Sequence, residues 1–264
     1  MKVTNFEDNN KLIEGENVNY SGASIKFRGG GNILFLEDDI DLGESRIVFD
    51  GEDSLVFLRS QAKRKYKINI LIHNNSTCHI GKNNTMTEQL IINIGERKHV
   101  FLGNDVMCAA GVLIRTTDWH MIYSVKDKKR LNLSKSVFIG DHVWLAQYVM
   151  LLKGTQIASG SVVGAKGLIA GKRIPSNTCW AGNPAKLISD GIFWDRRQVQ
   201  KFRVEDSEKY NTFPDDEYIF NYDPKVYIPF NEIDKQLTSC ETAQDKMEYL
   251  LKISNIDDHN RFAF

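Results

Sequence analysis

The chain has 264 residues, 42% of them hydrophobic and 26% charged, which suits one large globular domain or two small ones. Its 34 Lys and Arg residues balance 34 Asp and Glu residues, so the net charge excludes a bulk nucleic-acid-binding surface. The first 15 residues lack an apolar signal core, and no run reaches the roughly 18 apolar residues of a membrane span. Four widely separated cysteines show no metal-ligand spacing. We expect a cytoplasmic protein with reduced thiols and no membrane span.

Residues 20–72 carry short apolar runs separated by turn residues. The runs begin at Ile33, Ile47 and Leu55, and glycine and aspartate occupy the intervals between them. We interpret this region as irregular early coils of the repeat described next. A separate small β-sandwich is the alternative.

A period of six residues is visible near residues 80–118 and is clearest from Ile139 to Lys186. A large aliphatic residue takes the first place of six successive units, and the phase then lapses at Pro175 and Ala181. The six aliphatic residues are Ile139, Leu145, Leu151, Ile157, Val163 and Ile169. One aliphatic and one small residue in every six are typical of a parallel β-helix. The sequence therefore predicts a mainly β solenoid over residues 1–190, with regular hexapeptides at 80–118 and 139–186.

Residues 119–138 interrupt this repeat. Ile114 and Ile139 are 25 residues apart, one more than four units of six, so the phase is lost between them. The segment is too polar for a coil, and we predict a loop that leaves the solenoid wall. Inserted loops of repeat proteins often lie on the binding face.

Residues 191–264 form an aromatic-rich C-terminal extension. We predict one helix near residues 239–253, capped by Thr238 or Ser239, because Met247, Leu250 and Leu251 share a face. The extension is expected to cover the open end of the solenoid. Trp180 and Trp194 are expected to be exposed and available for contacts between protomers.

The phased hexapeptides, DWH at the loop root, GDHVWLA and the closing AGNPAK resemble the left-handed β-helix hexapeptide acyltransferases over about residues 70–190. The chain looks most similar to bacterial surface-polysaccharide and sialic acid O-acetyltransferases. The resemblance implies the left hand of the helix, acetyl-CoA as cofactor, a sugar or polysaccharide acceptor, and a homotrimer with acetyl-CoA between neighbouring solenoids. Many members carry glycine at the position of Trp119, a departure that affects the local pocket.

Three residues are predicted to be catalytic. An imidazole can take the proton of an attacking hydroxyl and return it to a leaving thiolate, and the resemblance gives this role to His120. We hypothesise that Asp118 fixes the His120 tautomer, with a turn-forming aspartate as the alternative. Trp144 faces away from the interior, and the resemblance favours an active-site position over packing against a neighbouring subunit.

The predicted cofactor groove rests on local charge. From His142 to Ser189 there is no acidic residue, whereas five cations occur, namely Lys153, Lys166, Lys172, Arg173 and Lys186. Cationic side chains and free backbone amides hold phosphates such as those of coenzyme A, although a solvated basic face would look the same. Gly164 and Ala165 leave room for the cofactor, and the Ala146 amide is a candidate donor to it or to the oxyanion. The resemblance matches Lys186 to the phosphate end.

The predicted acceptor site lies on the loop. The cations Lys126, Lys128, Lys129 and Arg130 crowd the segment after His120, and we group the last three with Trp119 as substrate-binding residues. Their charge predicts an anionic acceptor such as a sialic acid, although a run of lysines also serves solubility.

Other functions remain open at this stage. The same scaffold supports N-acetylation of an amino sugar nucleotide, which acceptor profiling separates from O-acetylation. A metalloenzyme of the carbonic-anhydrase type needs histidines five apart, whereas His73 and His79 are six apart, so no metal ligand is predicted. A non-catalytic binding solenoid is the third alternative.

Overall fold

The computed structural model describes residues 1–62, 64–221, 227–256 and 262–264. Three sheets form the walls of a solenoid, because successive strands of the chain join each sheet in turn and pair in parallel with the coils before and after them. The apolar core lies inside these walls, and 35 buried residues of the described chain form it.

Each wall contains one strand from most coils. Sheet 1 consists of Lys2–Asn5, Lys11–Glu14, Ile33–Leu36, Leu55–Leu58, Thr77–Ile80, His99–Leu102, Val137–Ile139, Gln156–Ile157 and Arg173–Ile174. Sheet 2 consists of Thr85–Met86, Met107–Cys108, Trp144–Leu145, Val162–Val163, Thr178–Gly182 and Ala185–Asp190. Sheet 3 consists of Ser24–Phe27, Arg46–Phe49, Ile68–Ile72, Leu90–Ile94, Leu113–Arg115, Met150–Leu152 and Leu168–Ala170.

The predicted hexapeptide phase is confirmed by the strand register. Ile139 pairs with Ile157, and Leu151 pairs with Ile169, so three hexapeptides make one coil of 18 residues. All six aliphatic residues of the predicted phase are fully buried. Burial of one large aliphatic residue per strand is the main apolar contribution of each repeat.

The lapse of the phase at Pro175 has a simple structural cause. Ile157 pairs with Ile174, and Val163 pairs with Trp180, so the last coil is one residue shorter than 18. Ile174 is fully buried and Trp180 packs against the interior. The expectation that Trp180 is an exposed aromatic was therefore wrong, because the shortened corner turns its side chain inward.

The early coils belong to the same solenoid and are more regular than predicted. Leu36 pairs with Leu58, which pairs with Ile80, which pairs with Leu102, always 22 residues apart. Their sheet 1 strands have four residues, against two or three in the later coils, which lengthens each turn. The alternative of a separate β-sandwich was wrong.

The interrupting loop leaves the wall after the strand Leu113–Arg115 and returns at the strand Val137–Ile139. It emerges from the corner between sheets 3 and 1. Two extended arms run side by side within it, joined by an antiparallel bridge between Tyr123 and Arg130. The predicted excursion is confirmed.

The described part of the C-terminal extension contains three α-helices, α1 (Val204–Lys209), α2 (Phe230–Ser239) and α3 (Ala243–Ser254). It also contains a 3-10 turn at Val199–Lys201 and two short paired strands at Ile228–Pro229 and Phe262–Ala263. A second 3-10 turn lies in the N-terminal region at Glu7–Asn9. The predicted helix begins four residues later than expected, because Thr242 caps it by accepting the amide of Asp245 at 3.2 Å.

Helices α2 and α3 cover the outer side of sheet 1 and not the solenoid end that we predicted. Outward-facing aromatic side chains of successive strands stack there, with Phe35 4.2 Å from Phe57 and Phe138 5.5 Å from Phe230 of α2. These rings and the helices share a second apolar core. The C-terminal end of the solenoid carries instead the antiparallel pair of Thr178–Gly182 and Ala185–Asp190. Over the described residues, no helix is long and apolar enough to cross a membrane.

Candidate active site

His120 lies at the root of the loop, five residues after the end of the sheet 3 strand Leu113–Arg115. Its backbone is held by two bonds, since its amide donates to the Asp118 carbonyl and its carbonyl accepts the Asn132 side-chain amide, both at 2.8 Å. The side chain is exposed, and no bond to its ring is seen among the described residues. A fixed backbone with an accessible imidazole is what a general base for a bound hydroxyl requires.

Asp118 does not contact the His120 ring in the protomer. Its carboxylate accepts bonds from Lys153 and, at 3.0 Å, from Asn132. The bond from Lys153 lowers the pKa of Asp118 against the opposing effect of burial, and Asn132 lowers it further. Asp118 and Asn132 together tie the two ends of the loop root, and a role of Asp118 in fixing the His120 tautomer stays a prediction.

Trp119 adopts a backbone conformation that normally belongs to glycine. Its φ is +67°, in the left-handed region that bulky side chains avoid and that glycine adopts freely. Its ring is 52% exposed and meets the His73 ring edge-on at 6.0 Å. Trp119 overhangs a pocket of about 400 Å³ that we call the loop-root pocket, lined among others by His73, Asn93, Glu96, Asp118, Met121 and Arg130.

The predicted cations of the loop are not equivalent. Both terminal nitrogens of Arg130 donate to the Glu96 carboxylate, which also accepts from Ser134. Chiefly because of the Arg130 bond, the pKa of Glu96 falls to about 2. Arg130 therefore forms an ion pair with Glu96 in the lining of the loop-root pocket and is not the unpaired cation we expected. Lys128 and Lys129, by contrast, lie exposed at the loop tip.

Trp144 lies on a different face of the protomer from His120, at the start of a sheet 2 strand. Its outward side chain is half-buried against Trp194 of the extension, with ring centroids 5.9 Å apart. Trp194 is only 6% exposed, contrary to our expectation, because its ring stacks on His142 at 4.1 Å. The outward orientation predicted for Trp144 is confirmed, and its catalytic role stays a prediction.

His142 anchors this cluster. Its ring lies between Trp194 and Tyr218, each 4.1 Å away, and its Nδ1 is 2.5 Å from an Asp105 carboxylate oxygen. Its Nε2 lies 3.0 Å from the Trp194 carbonyl, and Arg196 donates to Asp105 at 2.8 Å. The cluster ties residues 194–196 to sheet 2 directly beside Trp144.

Known proteins with similar sequences and structures are acyltransferases. The chain is 29% identical over 205 residues to a polysialic acid O-acetyltransferase of Neisseria meningitidis, covering 78% of this chain and 84% of that protein. It superposes on the crystal structure of the polySia specific acetyltransferase NeuO with a TM-score of 0.65 at 29% identity, over 76% of this chain and 92% of that one. The chain is an acyltransferase with a β-solenoid fold, similar to these proteins.

Further comparisons agree with this assignment. A polysialic acid O-acetyltransferase of Escherichia coli O1:K1 / APEC is 31% identical over 140 residues, which are 53% of this chain and 45% of that protein. The crystal structure of the polysialic acid O-acetyltransferase OatWY, 24% identical, shares the fold with a TM-score of 0.57 over 76% of this chain and 98% of that one. No protein-family model matches the chain.

The predicted cofactor residues of this acyltransferase meet at the corner between sheets 2 and 3. Gly164 lies against Ala181, since an added Cβ would be 2.9 Å from the Ala181 Cβ, and Ala181 pairs with Lys186. Ala165, Lys166 and Lys186 are exposed, and the two lysines have no ion pair within the described chain. Two unpaired cations beside a narrow backbone corner fit the phosphates of coenzyme A.

Two parts of the cofactor prediction need correction. The Ala146 amide donates to the Val163 carbonyl at 2.9 Å, so the ladder between coils occupies the donor that we assigned to the oxyanion. The five cations also do not form one patch. Lys153 pairs with Asp118 at the loop root, and Lys172 donates to the Ala185 carbonyl at 2.6 Å.

Sequence reasoning missed several residues that shape the site. Asn132 and Glu96 organise the loop root, but they are polar residues in polar segments and carry no pattern. His142 belongs to the GDHVW motif, so the sequence shows that it is close to Trp144. The residues that contact its ring, from Asp105 to Tyr218, are 37 to 76 positions away in the chain and could not be identified from the sequence. No group of three metal-binding side chains occurs within residues 1–62, 64–221, 227–256 and 262–264.

Proposed function

We propose that the protein transfers an acetyl group from acetyl-CoA to a hydroxyl of a surface-glycan sugar, with a sialic acid residue as the acceptor, and that His120 is the general base. Two polysialic acid O-acetyltransferases among the similar proteins support the acceptor class. The observation that carries the proposal is the exposed His120 imidazole on a backbone held at both its amide and its carbonyl. The chain neighbours of His120, Trp119 and Met121, line the loop-root pocket.

Acetyl-CoA supplies a thioester carbonyl carbon for attack and a thiolate as the leaving group. His120 accepts the proton of the sugar hydroxyl as its oxygen attacks, and it returns that proton to the departing sulfur, so the imidazole is regenerated in each turnover. Asn132 and Asp118 hold the loop root so that the imidazole does not drift from the acceptor. Trp144 lines the site through its ring or its indole N–H.

The cofactor is proposed to lie along the corner between sheets 2 and 3. Lys166 and Lys186 would hold its phosphates, and Gly164 and Ala165 would let the pantetheine arm approach the backbone. Since the Ala146 amide is occupied, Ala146 contributes only the small side chain that keeps this corner open. The exposed lysines Lys128 and Lys129 attract an anionic acceptor from the loop tip.

We further propose that the working form is a homotrimer. An apolar column runs along the outer side of sheet 3 and stays partly exposed, namely Ile91, Leu113, Met150 and Leu168 in register. The loop adds exposed apolar side chains, including Met121 at 62% and Leu131 at 65%. Association through this face would bring His120 of one protomer towards the sheet 2 face of another, where Trp144 lies.

The domain organisation is part of the same proposal. Residues 1–190 form the acyltransferase solenoid, with the loop at 119–138, and residues 191–264 form the extension. The extension supports the solenoid by covering sheet 1 and by holding Trp194 against Trp144.

The deciding experiment is incubation of the protein with acetyl-CoA and a panel of sialic acids, neutral sugars and amino sugars, with product masses and released thiol measured. O-acetylation of a sialic acid by the wild type and not by His120→Ala is expected. N-acetylation of an amino sugar would support the other reaction, and no product with any acceptor would reject both. Met150→Glu, at a 37% exposed position, should yield monomers in sedimentation; an unchanged oligomer would reject the sheet 3 interface.

A further inference from the structure

The loop-root pocket contains two polar atoms that the protein leaves unsatisfied. The Nε2 atom of His73 and the Nε atom of Arg130 are both buried, and neither has a hydrogen-bond partner within the described residues. Both side chains line the same pocket of about 400 Å³. Because an unsatisfied buried polar atom costs free energy, a site with two of them in one pocket is suited to a ligand that supplies the missing bonds.

The chemistry of the missing partners follows from the bonds already made. The Nδ1 atom of His73 lies 3.0 Å from the Asp50 carbonyl oxygen, which can only accept, so Nδ1 carries the proton in the neutral ring. The Nε2 atom is then an acceptor and needs a donor such as a hydroxyl. Arg130 spends its two terminal nitrogens on Glu96, and its Nε–H needs an acceptor oxygen.

Trp119 supplies the apolar part of the pocket. Its ring stands over the His73 side and is 52% exposed, in a backbone conformation with φ of +67° that is costly for any side chain with a Cβ. The protein holds a large aromatic ring in a place where glycine would relieve the strain, and such strain concentrates at functional sites. A flat aromatic surface next to one donor and one acceptor matches the faces and hydroxyls of a pyranose ring.

We infer that the loop-root pocket binds the acceptor's sugar ring, with Trp119 as the stacking surface and with His73 as the residue that reads one hydroxyl of the ring. Arg130 donates through Nε to a second oxygen of the same sugar. The inference rests on the proposed function for the identity of the sugar as the acceptor. It adds His73, which no pattern in the sequence singled out as a binding residue, and it assigns recognition inside the pocket to hydrogen bonds and stacking without a net charge.

Charge balance supports this assignment. Arg130 is neutralised by Glu96, and Asp118, another wall residue, is neutralised by Lys153. The pocket therefore offers no net attraction for an anion, in contrast to the loop tip with Lys126 and Lys128. Binding inside the pocket should respond weakly to salt, whereas attraction to the tip should weaken as salt rises.

The test measures saccharide binding without acetyl-CoA, so that it does not depend on turnover. The probes are a short sialic acid oligosaccharide and a neutral galactose oligosaccharide, titrated by saturation-transfer NMR. Trp119→Gly and His73→Ala are each expected to weaken binding about fivefold to tenfold, because each removes one stacking surface or one hydrogen bond. Arg97→Ala is the matched control, since Arg97 is an exposed cation next to Glu96 that does not line the pocket.

Trp119→Gly separates binding from folding. Glycine adopts a positive φ without strain, so this variant should be at least as stable as the wild type in urea while its affinity falls. Unchanged affinity in both Trp119→Gly and His73→Ala, or no binding of either probe to the wild type, would overturn the inference.

Failure of the proposed function would look different. If His120→Ala binds the saccharide like the wild type but neither protein transfers acetyl, the pocket assignment stands and the reaction is wrong. If transfer occurs with wild-type acceptor KM in both Trp119→Gly and His73→Ala, the reaction stands and the pocket assignment is wrong.

Discussion

Histidines of this chain occupy two opposite environments. His120 is exposed at the loop root, and only its backbone is bonded. His142 is 2% exposed, stacked between two aromatic rings and contacted at both ring nitrogens. An imidazole that is to exchange protons with a substrate must be accessible, whereas one that joins two segments must be enclosed. The contrast shows that the contacts around a histidine decide whether its side chain can take part in catalysis or instead stabilises the fold.

The largest expected effect is on catalysis. His120→Ala should lower kcat by about 100-fold or more, because a general base contributes at least that factor. Its urea unfolding midpoint should match the wild type, since the side chain makes no described contact. Steady-state thiol release and urea titration measure the two quantities, and a kcat within a few-fold of the wild type would remove His120 from the reaction.

His142→Ala should show the reverse pattern. The variant loses the imidazole's stacking contacts with two aromatic rings and two hydrogen bonds at a buried site. This loss is expected to reduce the free energy of unfolding by about 3 kcal/mol. His142→Phe keeps the stacking and should recover part of the loss. Urea unfolding followed by tryptophan fluorescence measures both variants. A stability unchanged in His142→Ala would show that the extension does not depend on this cluster.

His99 extends the comparison to pH. It is fully buried between sheet 1 and α2, and burial, with Lys246 and Lys98 nearby, lowers its pKa from an ordinary 6.5 to about 3. The unfolded chain therefore binds a proton that the folded chain does not. The stability that neutral His99 contributes is complete above pH 6.5 and is lost as pH falls towards 3. The loss reaches about 3 kcal/mol by pH 4.5.

The measurement for His99 is urea unfolding at pH 7 and pH 4.5. The wild type should lose more stability between these values than His99→Gln, which cannot take up the proton. An equal loss in the two proteins would contradict the assignment. The neighbouring Thr238, whose Oγ1 lies 3.3 Å from the His99 ring, is unchanged in both.

The smallest expected effect concerns the helix that covers sheet 1. Thr242→Ala removes the side chain that accepts the Asp245 amide at the start of α3, and it should cost about 1 kcal/mol. Thr242→Ser keeps the hydroxyl and should stay near the wild type. Urea unfolding measures the difference, and equal stability in all three proteins would show that α3 is held by its apolar face alone.

The repeat was predictable because a solenoid repeats one local solution. Each coil must bury its own aliphatic residues, so the spacing of Ile139, Ile157 and their equivalents in the sequence predicts the strand register. The loop was predictable as a break in that phase. The role of His120 came from the resemblance, because periodicity alone would not have distinguished this histidine from any surface histidine.

The errors share one physical cause. Trp180 was assigned outward because a single missing residue at the last corner is invisible without the strand pairing. Arg130 was expected to be an unpaired cation because its partner Glu96 lies 34 residues earlier, and Ala146 was assigned a free amide because inter-coil bonds are set by stacking. Each of these depends on which distant backbone comes alongside.

The sequence by itself determined the wall of this protein, its period, its interruption and the chemical classes of side chain at the interruption, since all of these are properties of neighbouring residues. Only the tertiary structure decided which cations stay unpaired, which histidine is enclosed and which pocket lies beneath Trp119. Those outcomes depend on contacts between residues 23 to 52 positions apart, such as His73 with Asp50 and His142 with Trp194, and no local pattern encodes such contacts.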